Sequence, residues 1–177
     1  LVVLDEAYID FADRPGWLNR LQHYPNLVIL QTFSKAMGLA GARLGMAFAH
    51  RETVAVLNRI KFPYNVNRLT ARAALRALER QEEVAASIAF IRREREWLRV
   101  QLSRLQRVEQ IYPSQANFLL VRFRDARAVH QSLRSKGILV RDRSHLPGCS
   151  NCLRITVGSR EQNQRLLQTL QAMEVAS

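Results

Sequence analysis

Two short apolar runs near the amino end constrain the fold more than any other feature of the sequence. Leu1-Val2-Val3-Leu4 is apolar on both faces and ends at two acids, and residues 27–31 form a second run of the same kind. Such runs are typical of strands buried in a parallel sheet. Because the segment 17–24 between them is short and has a helical pattern, we predict two neighbouring strands of an α/β sheet.

The first 75 residues are predicted to form part of a larger sheet domain. Residues 45–49 read as a third strand, and a short helix over 54–61 should end at Phe62-Pro63, because proline lacks the amide donor that a helix needs. Three short strands cannot cover their own faces, so we expect further strands upstream of Leu1. Residues 76–177 are predicted to form a linking helix and a small carboxy-terminal domain.

The second part of the chain shows a helix followed by a mixed pattern. Apolar residues recur at spacings of three, four or seven residues, which predicts one buried stripe on a long helix. They are Ile88, Ile91, Leu98, Leu102 and Leu105. The segments after residue 112 predict a strand (117–123), a helix (126–136), two strands (138–141 and 152–157) and a last helix (160–173). Ser159 and Gln162 fit a capping box for that last helix. The result is a small α+β domain.

The charge of the chain raises a second class of function. The formal net charge is +12, almost wholly from arginine, since Lys35, Lys61 and Lys136 are the only lysines. Because a strongly basic protein can bind nucleic acid, the alternative to an enzyme is a non-catalytic nucleic-acid-binding module. The arginines are spread along the chain with no aromatic stacking platform between them, so we expect no nucleic-acid partner and favour small anionic ligands. No apolar run is long enough to cross a bilayer, and we expect a cytoplasmic protein without membrane contact.

The two cysteines carry the weakest of the chemical patterns. Cys149 and Cys152 have the Cys-x-x-Cys spacing, and His145 lies nearby. The sequence has no second cysteine pair and no thioredoxin-like unit before these cysteines. We therefore favour incidental thiols in a loop over a redox or zinc role. No metal site is expected.

Polar side chains gather where the first two predicted strands end. Ligands of open α/β sheets bind beyond the carboxyl ends of the strands, so these side chains should face one crevice. They are Asp5, Tyr8, Thr32, Ser34, Lys35 and Arg43.

Each of these residue types suits the chemistry of pyridoxal phosphate (PLP), an electron sink held by a lysine imine and tuned by an acid at its ring nitrogen. Lys35 would hold the cofactor and act as the base, and Asp5 would keep the ring nitrogen protonated. Tyr8 would hydrogen-bond the phenolate oxygen. Two hydroxyls and a planar cation remain for the phosphate, from Thr32, Ser34 and Arg43.

Several segments resemble the histidinol-phosphate aminotransferase family of fold-type I PLP enzymes. They are residues 5–11 (DEAYIDF), 32–45 (TFSKAMGLAGARLG), 63–67 (PYNVN), 113–118 (PSQANF), 137–142 (GILVRD) and 152–158 (CLRITVG). The resemblance implies an α/β fold with part of the large-domain sheet and a small α+β domain. It also implies a homodimer that transfers an amino group between L-histidinol phosphate and 2-oxoglutarate in histidine biosynthesis.

The resemblance adds two substrate residues and one expectation about completeness. Arg154 would bind the anionic group of the substrate, and Arg165 would assist it. The family's glycine-rich phosphate turn and its stacking aromatic residue normally lie upstream of the matched segments. We therefore expect residues 1–177 alone to bind PLP weakly or not at all and to lack transaminase activity. An aromatic-amino-acid aminotransferase and a threonine-phosphate decarboxylase share the motifs and stay open as alternatives.

Overall fold

The structure is a computed structural model that describes residues 1–175. Its strands are β1 (Val2–Asp5), β2 (Leu27–Thr32), β3 (Gly45–Ala49), β4 (Val108–Ile111), β5 (Phe118–Phe123), β6 (Arg141–Asp142) and β7 (Cys152–Thr156). Its α-helices are α1 (Arg51–Ile60), α2 (Arg68–Glu79), α3 (Gln81–Leu102), α4 (Ala126–Ser135) and α5 (Arg160–Val175). The chain divides within α3 into a unit Leu1–Ile88 and a second unit that starts at Ala89. The division predicted at residues 75 and 76 stays a prediction.

The first unit contains a three-stranded sheet in the order β1-β2-β3. The predicted parallel pairing of the first two strands is confirmed, with Asp5 opposite Leu30, and β3 runs antiparallel to β2. The first half of β2 is buried, as its apolar run predicts. Within the described residues β1 is an edge strand, and Val2 and Val3 are 49% and 54% exposed, so its predicted burial stays a prediction together with the strands expected upstream.

Helices α1 and α2 follow the sheet, and the local sequence accounts for the end of α1 and the start of α2. The predicted helix before proline is present, and α1 ends at Ile60, three residues before Pro63. Asn67 caps α2 through its side-chain oxygen, which accepts a hydrogen bond from the Thr70 amide at 2.9 Å. This bond satisfies one of the amide donors that every helix start leaves without a partner in the helix.

The second unit is the predicted α+β arrangement. Its four strands form an antiparallel sheet in the order β4-β5-β7-β6. Side chains alternate along β5, and Leu119, Val121 and Phe123 are at most 1% exposed. They pack with the apolar residues of α3, α4, β7 and α5 into one core, including Leu98, Leu102, Val129, Leu133, Leu153, Ile155 and Leu170. Of the predicted stripe, Leu98 and Leu102 on α3 belong to this core, and so does Leu105, which lies after the end of the helix.

Two elements of this sheet differ from the prediction. The strand β4 was missed because its sequence, Val-Glu-Gln-Ile, is half polar. The strand predicted over 138–141 is reduced to Arg141–Asp142. Ile138 and Val140 pack against the core without pairing along β7, so their apolar pattern reflects burial and not a strand.

The capping box predicted for the last helix is confirmed. The Ser159 hydroxyl accepts from the Gln162 amide at 3.2 Å, and Gln162 Oε1 accepts from the Ser159 amide at 2.9 Å. Across residues 1–175, none of the helices is long and apolar enough to cross a membrane.

Candidate functional site

The carboxyl ends of β1 and β2 lie side by side and bring two predicted site residues together. Tyr8 follows β1 by three residues, and Lys35 follows β2 by three residues. The Lys35 amine lies 5.1 Å from the centre of the Tyr8 ring. Because the strands are parallel and adjacent, both side chains reach the same edge of the sheet.

The Lys35 amine is held by the aromatic contact and by no carboxylate. Among residues 1–175, it makes no hydrogen bond or ion pair, and its side chain is half-buried. A cation over an aromatic face is attracted to the ring but keeps its nitrogen open to other partners. The arrangement leaves this amine available to an incoming ligand.

Asp5 ends β1 with one carboxylate oxygen engaged and the other open. Its Oδ1 accepts from the Ala7 amide at 2.9 Å, which fixes the turn after the strand. Its Oδ2 has no hydrogen-bond partner in the described part of the chain, and the residue is exposed. The carboxylate is therefore oriented by the backbone while one oxygen can still accept a proton-bearing group.

The neighbouring acid, Glu6, is a structural anchor that the sequence analysis missed. Its side chain is 8% exposed, and its two oxygens accept from the Trp17 amide at 2.7 Å and from Gln31 Nε2 at 3.1 Å. Successive strand residues point to opposite faces, so Glu6 turns inward where Asp5 turns outward. Glu6 thereby ties the end of β1 to β2 directly behind the candidate site. Nothing in the local sequence marks which of the two acids is buried.

Replacing Gly16 by alanine should disrupt this anchor. A Cβ atom at Gly16 would lie 2.7 Å from Glu6 Oε2 and 3.1 Å from Ile9 Cγ1. Since the carboxylate is buried and already bonded twice, moving it aside costs hydrogen bonds, and we expect the free energy of unfolding to fall by about 1–3 kcal/mol. Urea unfolding measures the loss. Gly41→Ala is the matched control, because its Cβ would meet no atom within 4 Å, and equal stability of the two variants would contradict the prediction.

The three predicted phosphate ligands are differently engaged. The Thr32 hydroxyl donates to the Leu44 carbonyl at 3.2 Å and accepts from the Ser34 amide at 3.0 Å, so it closes the turn after β2. The Ser34 hydroxyl has no hydrogen bond within residues 1–175. Arg43 is exposed in the left-handed region, with φ 54°, and Nη1 donates to the Ala40 carbonyl at 3.0 Å. Ser34 and Arg43 therefore keep more binding capacity than Thr32.

In the second unit, Arg154 has a buried donor without a partner. Its Nε atom is buried and makes no hydrogen bond to any described residue, and its guanidinium carbon lies 5.1 Å from the centre of the Phe118 ring. No ion pair to Arg154 forms within residues 1–175. A buried donor left unpaired is costly, which favours an external anion.

The strand register reveals Arg141 as a second cation beside Arg154. The two residues are directly opposite in the antiparallel pair of β6 and β7. Like charges at opposite positions repel, and an anion bound between them would offset the repulsion. Sequence reasoning missed Arg141 because the pairing of the two strands could not be read from the chain.

Arg165, in the second unit, already has a hydrogen-bond partner. It is exposed on α5, and its Nη2 donates to the Lys136 carbonyl at 2.6 Å, at the end of α4. This bond satisfies one of the carbonyls that every helix end leaves open. Its predicted assistance in substrate binding stays a prediction.

The sequence and the fold both match known proteins. The profile of the family described as aminotransferase class I and II covers residues 1–170. The histidinol-phosphate aminotransferase of Cytophaga hutchinsonii is 50% identical over 170 residues, which are 96% of this chain and 49% of that protein. The enzyme of the same name from Christiangramia forsetii is 46% identical over 174 residues, or 98% of this chain and 50% of that protein. The chain thus spans about half the length of these curated relatives.

A solved structure extends the comparison to the fold. The histidinol-phosphate aminotransferase of Sinorhizobium meliloti, determined in complex with pyridoxal-5'-phosphate, superposes with a TM-score of 0.84 at 28% identity. The match covers 98% of this chain and 49% of that chain. The resemblance inferred from the motifs and the expected fold-type I α/β class are both confirmed.

Proposed function

Because the chain belongs to the class I and II aminotransferase family, we propose that the intact protein transfers an amino group between L-histidinol phosphate and 2-oxoglutarate. The observation that carries the proposal is the half-buried Lys35 amine, which lies over the Tyr8 ring without an ion-pair partner among the described residues. Lys35 lies at the carboxyl ends of the strands, where α/β sheets bind their ligands. The names of the curated relatives supply the substrates of the proposal.

The residues of the first unit fit a PLP cofactor. Lys35 would hold it covalently, Asp5 would face its ring nitrogen, and Ser34 with Arg43 would bind its phosphate. The open oxygen of Asp5, the unbonded hydroxyl of Ser34 and the free amine of Lys35 are the observations that support this fit. When bound, PLP withdraws electrons from the substrate carbon that carries the amino group.

The chain's own groups would then manage the protons. Lys35 Nζ, once released by the substrate amine, would take the proton from the substrate carbon. It would then give that proton up again to complete the transfer of the amino group. Asp5 would keep a proton on the ring nitrogen by stabilising the positive charge. Tyr8, which already contacts Lys35, would donate its hydroxyl proton to the phenolate oxygen of the cofactor. Thr32 would hold the turn that carries Ser34 and Lys35.

Arg154 and Arg141 would bind the anionic end of each substrate. A guanidinium fork fits both a phosphate and a carboxylate, so one pair of arginines would serve histidinol phosphate and glutamate alike. The unpaired Nε of Arg154 and the opposed position of Arg141 support this proposal. Arg165 is kept as a proposed assisting residue.

Replacing Arg154 by glutamine should weaken substrate binding in the intact protein. The loss of a charge-assisted hydrogen bond to the substrate anion should raise KM by about 10- to 100-fold, with a smaller effect on kcat. Steady-state kinetics with histidinol phosphate test this. Arg134→Gln removes the same charge from an exposed position on α4 and serves as the control. An unchanged KM in the Arg154 variant would exclude the assigned role.

An assay of the intact protein with three substrates tests the proposed function itself. Histidinol phosphate, phenylalanine and threonine phosphate would be compared with 2-oxoglutarate as acceptor. Glutamate formed fastest from histidinol phosphate is the expected result. Fastest turnover of phenylalanine would favour an aromatic-amino-acid aminotransferase, and carbon dioxide released from threonine phosphate would favour the decarboxylase. A homodimeric assembly and a cytoplasmic location are further proposals, which light scattering and cell fractionation would check.

A further inference from the structure

The two cysteines of the chain lie at the two ends of one tight turn. The amide of Cys152 donates to the carbonyl of Cys149 at 3.0 Å, and Asn151 between them adopts a left-handed conformation with φ 54°. Such a four-residue turn brings its end Cα atoms within about 7 Å, while disulfides span about 4.4–6.8 Å. The backbone geometry therefore suits a disulfide between Cys149 and Cys152.

The turn is held in place by the surrounding sheet. The Asn151 carbonyl accepts from the Phe123 amide at 2.9 Å, and the Cys152 carbonyl accepts from the Arg143 amide at 2.9 Å. These bonds fix the turn to β5 and to the segment after β6. The sequence analysis expected incidental thiols in a loop, and backbone hydrogen bonds hold the part of that loop that carries them.

The two thiols differ in access and in electrostatic surroundings. Cys149 is partly exposed, whereas Cys152 is 0% exposed and lies opposite Arg122 in the pairing of β5 and β7. The hydrogen-bonding thiol of Cys152 raises the pKa of the Arg122 guanidinium.

We propose that Cys149 and Cys152 form a redox-active dithiol site that a small disulfide such as oxidised glutathione converts to an intramolecular disulfide. Cys149 attacks one sulfur of the oxidant, forms a mixed disulfide and releases one glutathione. The Cys152 thiolate then attacks Cys149 Sγ and releases the second glutathione. Two electrons pass to the oxidant, and the two thiol protons leave with the released glutathione molecules.

The exposure of the thiols sets the order of these steps. Only Cys149 is open to the oxidant, and the buried Cys152 needs only to reach its neighbour across the turn. Within residues 1–175, no group of three or more His, Cys, Asp and Glu could hold a metal ion, so the pair lacks the further ligands of a zinc site. The proposal does not depend on the proposed transaminase function.

Thiol trapping across a series of glutathione buffers tests the site. The folded 177-residue chain is equilibrated, quenched with acid, alkylated and digested with trypsin, which places both cysteines on the peptide 144–154. The expected result is joint loss of both alkylation sites, with the peptide lighter by two hydrogens. A folded chain that stops at a glutathione adduct on Cys149, or that forms the disulfide only in urea, would overturn the proposal.

Two variants separate the roles of the two cysteines. In Cys149→Ser, we expect Cys152 to stay reduced and to react with alkylating agents only after unfolding. In Cys152→Ser, the adduct on Cys149 should accumulate because nothing displaces it. Rapid oxidation of Cys152 in the folded Cys149→Ser chain would contradict the proposed order. Circular dichroism confirms that each variant is folded before it is compared.

Discussion

Replacing Lys35 by alanine is expected to lower transaminase activity of the intact protein by about 10³-fold or more, because the chain loses both its covalent attachment point and its base. Borohydride reduction in the presence of PLP, followed by peptide mapping, should label Lys35 in the wild type and nothing at that position in the variant. The amine is suited to this role because it contacts the Tyr8 ring and has no carboxylate partner in the described residues.

The other lysines provide the control for this experiment. Lys61 is exposed just after α1, and its backbone amide bond to Leu57 survives replacement by alanine. Lys61→Ala should keep wild-type activity and the label on Lys35. A label on Lys61 or Lys136 in the wild type, or full activity in Lys35→Ala, would remove Lys35 from the site.

Replacing Glu94 by alanine is expected to produce the largest loss of stability. The carboxylate of this α3 residue is 5% exposed and accepts from Arg160 Nε at 3.0 Å, Arg160 Nη2 at 2.7 Å and Asn163 Nδ2 at 3.1 Å. Asn163, itself 3% exposed, also bonds both the amide and the carbonyl of Gly158. Removing the carboxylate leaves a buried amide donor without this acceptor, and we expect a loss of about 2–4 kcal/mol in urea unfolding.

Glu96 on the same helix is the matched control. Its hydrogen bond from Arg99 lowers the pKa of the Glu96 carboxyl, but both side chains are mostly in water, at 62% and 46% exposed. Solvent screens such a pair, so Glu96→Ala should cost several-fold less than Glu94→Ala. Similar unfolding midpoints for the two variants would show that the buried network adds no stability. Unfolding slopes should agree between the variants, so that the midpoints compare stability directly.

Local patterns in the sequence predicted those features whose causes are local. The apolar runs predicted parallel β1 and β2, and the Ser159–Gln162 spacing predicted a capping box that the structure contains. The segments around Asp5 and Lys35 resembled the aminotransferase family to which the chain belongs, whereas the roles of the individual site residues stay predictions. Each of these inferences needs only the period of a helix or strand, or the chemistry of a few neighbouring residues.

The sequence by itself thus determined the α/β class, most helices and strands, and the residue types at the candidate site. The tertiary structure decided which Glu of the Asp5-Glu6 pair is buried, which strand places Arg141 opposite Arg154, and how the Cys149 turn is held. These features depend on strand register and on desolvation by distant segments. Register and burial are set by contacts between residues far apart in the chain, and a local pattern carries no record of them.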